Sequence, residues 1–471
     1  MDLIADLAAV VGVDRVKHHP LELRVYGKDA GVSRGDPAAV VLPASTGEVA
    51  ACVKVARRHG VPIVARGAGT GLSGGAVPTE PALIVALTRM NQFHHVDAAN
   101  RTAWVGPGVI NQELSIHTAP MGLHYAPDPS SQSVCTIGGN VGTNAGGPHC
   151  LSEGTTVAHV LAVEMVTVDG DVIHLGGAAP DPIGLDLRAV VVGSEGTLGI
   201  VTRVMVKLTQ NAPDVRTLLL AFPTIEAAAA TVSGTIAAGV VPAALEIMDR
   251  PMVQAVENFV HAGYPTDAAA VLLAEVTGHA AAVAAEGDLI EQVARDAGAS
   301  SVRVAGDTAE RDLLWLGRKS AFGAVAQTAP DYYLHDTVVP RTRLVETMTR
   351  LYDIAERYDL AMLNVFHAGD GNLHPLVAFD ARQAGMLEHV MAAAREMVQI
   401  SLDVGGALSG EHGIGLEKRD LMGEVFTPVD LDAQARLREA FDPGGHLNPG
   451  KVLPAGSRCY DFGMQPATGT S

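Results

Sequence analysis

The chain is poor in cysteine and in positive charge, and it has no long apolar run. Its 471 residues include four cysteines, Cys52, Cys135, Cys150 and Cys459, with none at the spacing of a zinc ribbon, a C-x-x-C dithiol or an iron–sulfur framework. Thiolate-held metal clusters are thereby excluded, and scattered thiols suit a reducing compartment. Lys and Arg number 33 against 52 Asp and Glu, a net charge of −19. That balance excludes nucleic-acid binding through a general basic field but leaves room for a local basic pocket that takes an acidic substrate. No apolar run reaches the ~18 residues that a membrane-spanning helix needs. Residues 227–241 come nearest in character, but Thr, Ser and Gly interrupt them and they read as a buried helix. The N-terminal M-D-L-I-A-D-L-A-A-V-V has acids and no basic start, so it reads as an amphipathic helix and not as a signal peptide. A cytoplasmic protein is expected. At 48% hydrophobic and 18% charged it is globular, and 471 residues are too many for one compact core, so two or three domains are expected.

What the chain does have is glycine in clusters. Residues 66–76 read R-G-A-G-T-G-L-S-G-G-A and follow V-P-I-V-A, a buried strand. Glycine reaches φ > 0 and has no Cβ to block close approach, so such a loop can turn its N–H groups inward around an anion. Thr70 and Ser73 add hydroxyl donors. A pyrophosphate is the obvious anion, although a tight turn would look similar. The P-loop is excluded because no lysine closes the motif. The Rossmann fingerprint is excluded because A-V-P-T-E-P at 76–81 opens no helix. A second glycine-rich region, 126–147, interleaves Asn140, Thr143 and Asn144 with bare backbone, and Val134, Ile137 and Val141 are expected to anchor it. A third lies in A-V-V-V-G-S-E-G-T-L-G-I-V-T at 189–202, read as a turn between two strands. Three such turns held by apolar segments point together to a large ligand with many acceptors.

The surrounding pattern is α+β. Strands are expected around 40–43, 62–65, 82–87 and 102–106, with helices over 46–59 and 110–119. Residues 162–168 and 172–175 flank Asp169-Gly170 as a hairpin. After Leu208 the composition shifts. Strand 217–222, helix 224–238, strands 241–248 and 269–276, helix 280–297 and a short strand at Val302 and Val304 spell a β-α-β-β-α-β unit. F-D-P-G-G-H-L-N-P-G-K at 441–451 is a turn-rich tail expected to return to the first domain.

The second half carries a chemical constellation. In N-V-F-H-A-G-D-G-N-L-H-P at 364–375, His367 and His374 end a tight turn, so a hairpin can bring both imidazoles to one point. S-G-E-H-G-I-G at 409–415 supplies Glu411 and His412. Two histidines and a carboxylate suit a divalent ion with an open position, and Asp370 or Asn372 could orient an imidazole. Taken singly, each histidine could be structural. His18, His19, His94 and His95 lack glycine framing and read as surface or core residues.

These motifs resemble a known group. The loop at 66–76, P-D-P-S-S at 127–131 with 138–147, and G-S-E-G-T-L-G-I at 193–200 resemble the FAD-binding domain of the vanillyl-alcohol oxidase family. H-A-G-D-G-N-L-H at 367–374, G-E-H-G-I-G at 410–415 and the tail to Lys451 resemble the cap of its FAD-linked D-2-hydroxyacid dehydrogenase branch, which includes the glycolate oxidase catalytic subunit, D-lactate dehydrogenases and D-2-hydroxyglutarate dehydrogenase. The resemblance implies a two-subdomain FAD-binding domain (1–211), a ferredoxin-like-derived α+β cap (212–415) and a returning tail (416–471). It implies that Arg66, Gly67, Ala68, Gly69, Thr70, Gly71, Ser73 and Gly74 hold the FAD pyrophosphate, and that Gly75 belongs to the same loop. Pro127, Asp128, Thr136, Gly138, Gly139, Asn140, Gly142, Asn144, Glu195, Gly196 and Ile200 would line the cofactor, and Asn448 would approach the isoalloxazine. It further implies a divalent metal of the zinc type on His367, His374 and Glu411, His412 as the base, and Arg318 as the clamp on the substrate carboxylate. No histidine sits in the pyrophosphate loop, so FAD would be non-covalent.

The implied reaction is oxidation of a short D-2-hydroxy acid, D-lactate or glycolate, to the 2-oxo acid, with hydride passing to flavin N5. One departure bears on substrate: Leu334 stands where the hydroxyglutarate enzymes carry a lysine for the distal carboxylate, with His335 beside it. Lys418 and Arg419 could assist electrostatically, although basic residues at a helix start are more often solvated. The alternatives are a hydroxyglutarate or other 2-hydroxy acid dehydrogenase, a flavin oxidase whose cap only looks metal-binding, and a flavin-carrying electron-transfer subunit. The implied acceptor is a quinone, an electron-transferring flavoprotein, a cytochrome or an iron–sulfur subunit, which could hold the protein at the inner face of a membrane. A homodimer is compatible with the sequence.

Overall fold

The computed structural model describes residues 2–179 and 183–454, so Cys459 lies outside the described residues. These residues fall into two compact units. One draws on the described residues within 2–146, 155–211 and 411–454, and the other on Gly147–Gly154 and Ala212–Gly410.

The first unit holds two sheets. In the mixed sheet the order is Val16–Lys17, Ala39–Val41, Leu83–Ala86, Ile63–Arg66. The last three strands run parallel and the first antiparallel. Parallel strands are covered on both faces and need continuous apolar sequence, which A-V-V, L-I-V-A and I-V-A supply. Helix Thr46–His59 joins two of them, capped by Ser45 at its start and by Gly60 at φ +63° at its end. Its Val49, Cys52, Val53 and Ala56 pack on that sheet together with Leu7 and Val11 of helix Leu3–Val11.

The second sheet is antiparallel, in the order Phe93–Asp97, Thr102–Val105, Ile200–Lys207, Val160–Val166, Val172–Gly176. The expected hairpin is there, with Gly170 at φ +77° in its turn. Two expectations differ. Residues Leu187–Val191 form a helix, not a strand, because Asp186 caps the Ala189 N–H and pairs with Arg188. A short apolar run is ambiguous between the two states, and here the cap decides it. Residues Ile137–Thr143 also form a helix, capped by Thr136, with Ile137 and Val141 buried one turn apart; Val134 is 52% exposed and anchors nothing.

The tail closes this unit. Helix Pro428–Phe441 starts on a capping box of Thr427 and Asp430. Beyond it, Ile63 N–H donates to the His446 carbonyl and Asn448 N–H to the Ile63 carbonyl, so the tail runs alongside the strand that feeds the first glycine loop.

The second unit begins with four antiparallel strands in the order Ser301–Val304, Asp214–Phe222, Ala270–Gly278, Ala244–Asp249. Numbered along the chain this is the 4-1-3-2 arrangement of a ferredoxin-like unit. Helices Ile225–Ala237 and Ala280–Asp296 bury Ala228, Val232, Val283, Ile290 and Ala294 against it. The sheet then extends: Ala361–His367 pairs with Ala244–Asp249 on one side and with Pro375–Phe379 on the other. Helix Thr308–Lys319 carries Arg311, Trp315 and Arg318 at helical spacing, on one face. Residues Gly147–Gly154 belong here, with His149 stacked on Trp315 at 5.5 Å and Ser152 Oγ donating to the Ala243 carbonyl. No helix among the described residues is long and apolar enough to cross a membrane.

Candidate active site

In the first unit the three glycine-rich turns converge. Gly193 N–H donates to the Val141 carbonyl and Glu195 N–H to that of Gly142, each at 2.8 Å, which joins the second turn to the third. A Cβ on Gly67 would collide with Thr136 Oγ1, and one on Gly75 would lie 3.0 Å from Glu195 Oε2, so the first turn touches both others. Asn448 Nδ2 donates to the carbonyls of Gly75 (2.8 Å) and Glu195 (2.6 Å) and locks the tail into the junction.

The loop itself is held from outside. Asp29 accepts from the N–H groups of Gly31 and Gly74, and burial pushes its carboxyl above the ordinary value. Arg66 lies over the Tyr26 ring and donates to the Tyr26 carbonyl; burial lowers its pKa, offset in part by Asp29. Among the described residues, the N–H groups of Gly69, Thr70 and Gly71 donate no hydrogen bond. A Cβ on Gly71 or Gly142 would meet nothing within 4 Å. Half-buried donors beside open space suit a pyrophosphate. Asn140 Oδ1 accepts from Asn111 Nδ2, which also donates to the Pro127 carbonyl, so Pro127 and Asn140 are tied through a residue that the sequence reading missed. Asp128 is half-buried in the following turn, and Gly138 N–H donates to the Pro107 carbonyl. Asn144 and Glu195 sit at φ +53° and Gly196 at φ +73°, and Ile200 is fully buried. Buried atoms without a protein partner, Glu195 Oε2 and Asn448 Oδ1, remain at the junction. The residues therefore fit an FAD.

The same unit positions His412. Ser73 Oγ donates to the His412 carbonyl at 2.9 Å, and Leu416 N–H donates to that of Ser73. Glu195 Oε1 accepts from the N–H groups of Ile414 and Gly415. Burial raises the Glu195 pKa, against the pull of those two donors and of the Lys451 and Lys418 charges. Lys418 is 1% exposed, not solvated as expected, because Lys418 N–H closes a turn on Ile414 in a segment fastened to Ser73. Lys451 is fully buried, donates to the Val77 carbonyl, and is brought down to about 8 by desolvation. The Glu411 and His412 side chains lie 3.8 Å apart.

In the second unit the hairpin brings His367 and His374 together, rings perpendicular, with centroids 5.1 Å apart and ligand nitrogens within 4.8 Å. His367 Nδ1 contacts Glu246 Oε1 at 2.7 Å and His374 Nδ1 contacts the His335 carbonyl at 3.3 Å. Both partners only accept, so in the neutral ring each Nδ1 carries the proton and Nε2 is the nitrogen with the lone pair. This is the ligand form of neutral imidazole, and it fits a divalent ion. The orienting groups are thus Glu246 and a backbone carbonyl, while the Asp370 carboxylate accepts from Asn372 N–H within its own turn. Glu246 was missed because it is one acid in a buried apolar strand. Asp336 accepts from Ser409 Oγ (2.5 Å) and Gly410 N–H (3.0 Å), and Glu411 and His412 are the next residues in the chain. Leu334 is 6% exposed and His335 is fully buried.

Arg318 is 1% exposed. Its Nε and Nη2 contact Glu246 Oε2 at 2.7 and 2.5 Å, and its Nη1 has no partner among the described residues.

Comparison with known proteins gives the family. The model for the C-terminal domain of FAD linked oxidases matches residues 212–452, and that for an FAD binding domain matches residues 37–176. The chain belongs to the FAD-linked oxidases. Within that family it is 45% identical to the glycolate oxidase subunit GlcD of Escherichia coli over 91% of this chain and 86% of the relative. It is 40% identical to the Bacillus subtilis protein of the same name, over 92% and 93%. It is 33% identical to a D-lactate dehydrogenase of Anaerostipes hadrus, over 92% and 91%. Among solved structures, p-cresol methylhydroxylase with substrate bound superposes with a TM-score of 0.81 at 18% identity, over 96% of each chain. The fold is therefore of the vanillyl-alcohol oxidase type, and the protein is an FAD-linked oxidoreductase of the D-2-hydroxyacid dehydrogenase branch.

Proposed function

We propose that this enzyme oxidises a short D-2-hydroxy acid, glycolate or D-lactate, to the 2-oxo acid, with non-covalent FAD and a divalent ion of the zinc type. The observation that carries the reading is Arg318. A buried guanidinium with two nitrogens spent on Glu246 and Nη1 left over has a donor reserved for an anion. A substrate carboxylate is the anion that the relatives' names suggest.

His367, His374 and Glu411 would hold the ion, which when bound supplies Lewis-acid polarisation of the substrate hydroxyl. Residues 66–74, Gly75, Pro127, Asp128, Thr136, Gly138, Gly139, Asn140, Gly142, Asn144, Glu195, Gly196, Ile200 and Asn448 would hold FAD, which when bound accepts the hydride at N5. Arg318 binds the carboxylate and so fixes which face of Cα is presented. His412 takes the hydroxyl proton. Cα loses two electrons as hydride, the hydroxyl loses its proton to His412, and the carbonyl forms. By the family resemblance, Leu334 takes the position where the hydroxyglutarate enzymes carry a cation for the distal carboxylate, which favours a short acid. The electron acceptor would be a quinone, an electron-transferring flavoprotein, a cytochrome or an iron–sulfur subunit.

The test is a panel of D- and L-2-hydroxy acids, including D-2-hydroxyglutarate, assayed by dye reduction with and without chelator. Reduction with D-lactate or glycolate, lost in chelator, is expected. Flavin-loaded enzyme that reduces dye with none of the panel would sink the reading.

A further inference from the structure

We propose that Glu246 is a positioning residue that sets the tautomer of His367 and the aim of Arg318 through one carboxylate. This rests on the function proposed above and goes further, because it names what makes both groups competent.

Glu246 lies in strand Ala244–Asp249, directly opposite His367 in the neighbouring strand, and is fully buried. Opposite residues in an antiparallel pair stand side by side on the same face. Oε1 faces His367 Nδ1 at 2.7 Å, and Oε2 takes Arg318 Nε at 2.7 Å. An ionised carboxylate has no proton to give. His367 must therefore keep its proton on Nδ1, which leaves Nε2 as the ligand nitrogen. On the other side, two tied nitrogens fix the guanidinium plane and turn Nη1 away from Glu246. A purely structural role, docking helix Thr308–Lys319 on the sheet, is already served by Glu275, which accepts from Arg311 and Trp315 of that helix.

Glu246→Gln is close to isosteric but presents one oxygen and one NH₂. If the oxygen keeps Arg318, the NH₂ points at His367 Nδ1 and forces the proton to Nε2, which removes the ligand lone pair. If the amide turns over, the NH₂ confronts the guanidinium and Nη1 loses its aim. Glu246→Asp keeps the charge but retracts it by one methylene.

The experiment uses full-length protein with FAD bound. Chelator-stripped wild type, Glu246→Gln and Glu246→Asp are dialysed to equilibrium against Zn²⁺ alone. The histidine tautomers are read by ¹⁵N NMR on histidine-labelled, metal-free protein, with His367→Gln to assign the signal. Wild type should show His367 protonated on Nδ1. Glu246→Gln should bind zinc roughly 10–100-fold more weakly at unchanged FAD content, raise KM for the hydroxy acid, and shift the His367 signals. Glu246→Asp should fall between. A wild-type His367 protonated on Nε2, or zinc affinity and KM unchanged in both variants, overturns the proposal. Failure of wild type to bind zinc or oxidise hydroxy acids overturns the function instead, and the tautomer measurement still decides the role of Glu246.

Discussion

The indole N–H of Trp315 donates to the Glu275 carboxylate at 2.6 Å, on the helix face that Arg311 shares. Glu275 is 1% exposed and also accepts from Arg311 through both oxygens and from Thr217. Burial alone would raise its pKa, but His149, Arg311 and Thr217 outweigh it and hold the group well below the ordinary carboxylate range. The unfolded chain, with glutamate near ~4.3, then binds the proton more readily than the folded one. The stabilisation is thus fully present above that value and drains away as the pH falls below it. Glu275→Gln should cost about 1–3 kcal/mol at pH 7, and its Tm deficit should shrink below about pH 4. Equal deficits at both pH values would mean that the charge on Glu275 is not what holds the helix.

Arg318→Lys tests the fork. Lysine offers a point charge in place of a planar set of donors. It can hold Glu246 or a substrate carboxylate, but not both in a fixed plane. KM for the hydroxy acid should rise by about tenfold, the equivalent of ~1.4 kcal/mol of lost binding, with a smaller fall in kcat. FAD content, read from flavin absorbance, should stay at the wild-type level. A fall in kcat at constant KM would assign Arg318 to the reaction step and not to substrate binding.

Much of this architecture was legible because periodicity and punctuation coincide in the sequence. Ser45 and Gly60 bracket a helix of regular apolar spacing, and Asp169-Gly170 sits between two apolar strands, so both were read correctly. The β-α-β-β-α-β order of the cap followed from the same signals. Legibility failed where tertiary contacts outvote local pattern. Ile137–Thr143 is glycine-rich and locally a poor helix; it forms because Thr136 caps it and Ile137 and Val141 bury their side chains. Helix Arg250–Val260 went unseen although Asp249 and Pro251 mark its start. At the site, the histidines were visible because glycines frame them. Glu246 and Glu275 were not, because an acid inside an apolar strand shows its meaning only when its partners arrive from far along the chain.

Two glycines in one loop separate folding from cofactor binding. Gly74 sits at φ +81°, and a Cβ there would lie 3.1 Å from Leu416. Gly74→Ala should destabilise the protein by roughly 1–2 kcal/mol, from the left-handed backbone alone. A Cβ on Gly71 would meet no protein atom within 4 Å. Gly71→Ala should leave the apoprotein Tm unchanged or slightly raised, and yet weaken FAD binding, because the open space beside it is where the cofactor would lie. Thermal melts of apoprotein and fluorescence titration with FAD measure the two effects. Wild-type FAD affinity in Gly71→Ala would place the pyrophosphate elsewhere.

The proposed roles of metal and base separate by rescue. In wild type, chelator should abolish dye reduction and Zn²⁺ should restore it, with flavin absorbance unchanged throughout. His412→Ala should lower kcat by about 10²–10⁴-fold with FAD content unchanged, because Ser73 and Glu195 hold the segment through the backbone at 412, 414 and 415 and not through the imidazole. Zinc affinity should also persist, since His412 is not one of the proposed ligands. Added Zn²⁺ should therefore not rescue this variant, whereas added imidazole, a diffusible base, should recover part of the rate. If Zn²⁺ rescues His412→Ala, the histidine acts by holding the ion and the proton goes elsewhere. If neither addition helps and kcat stays at the wild-type level from the start, the substrate proton leaves without it.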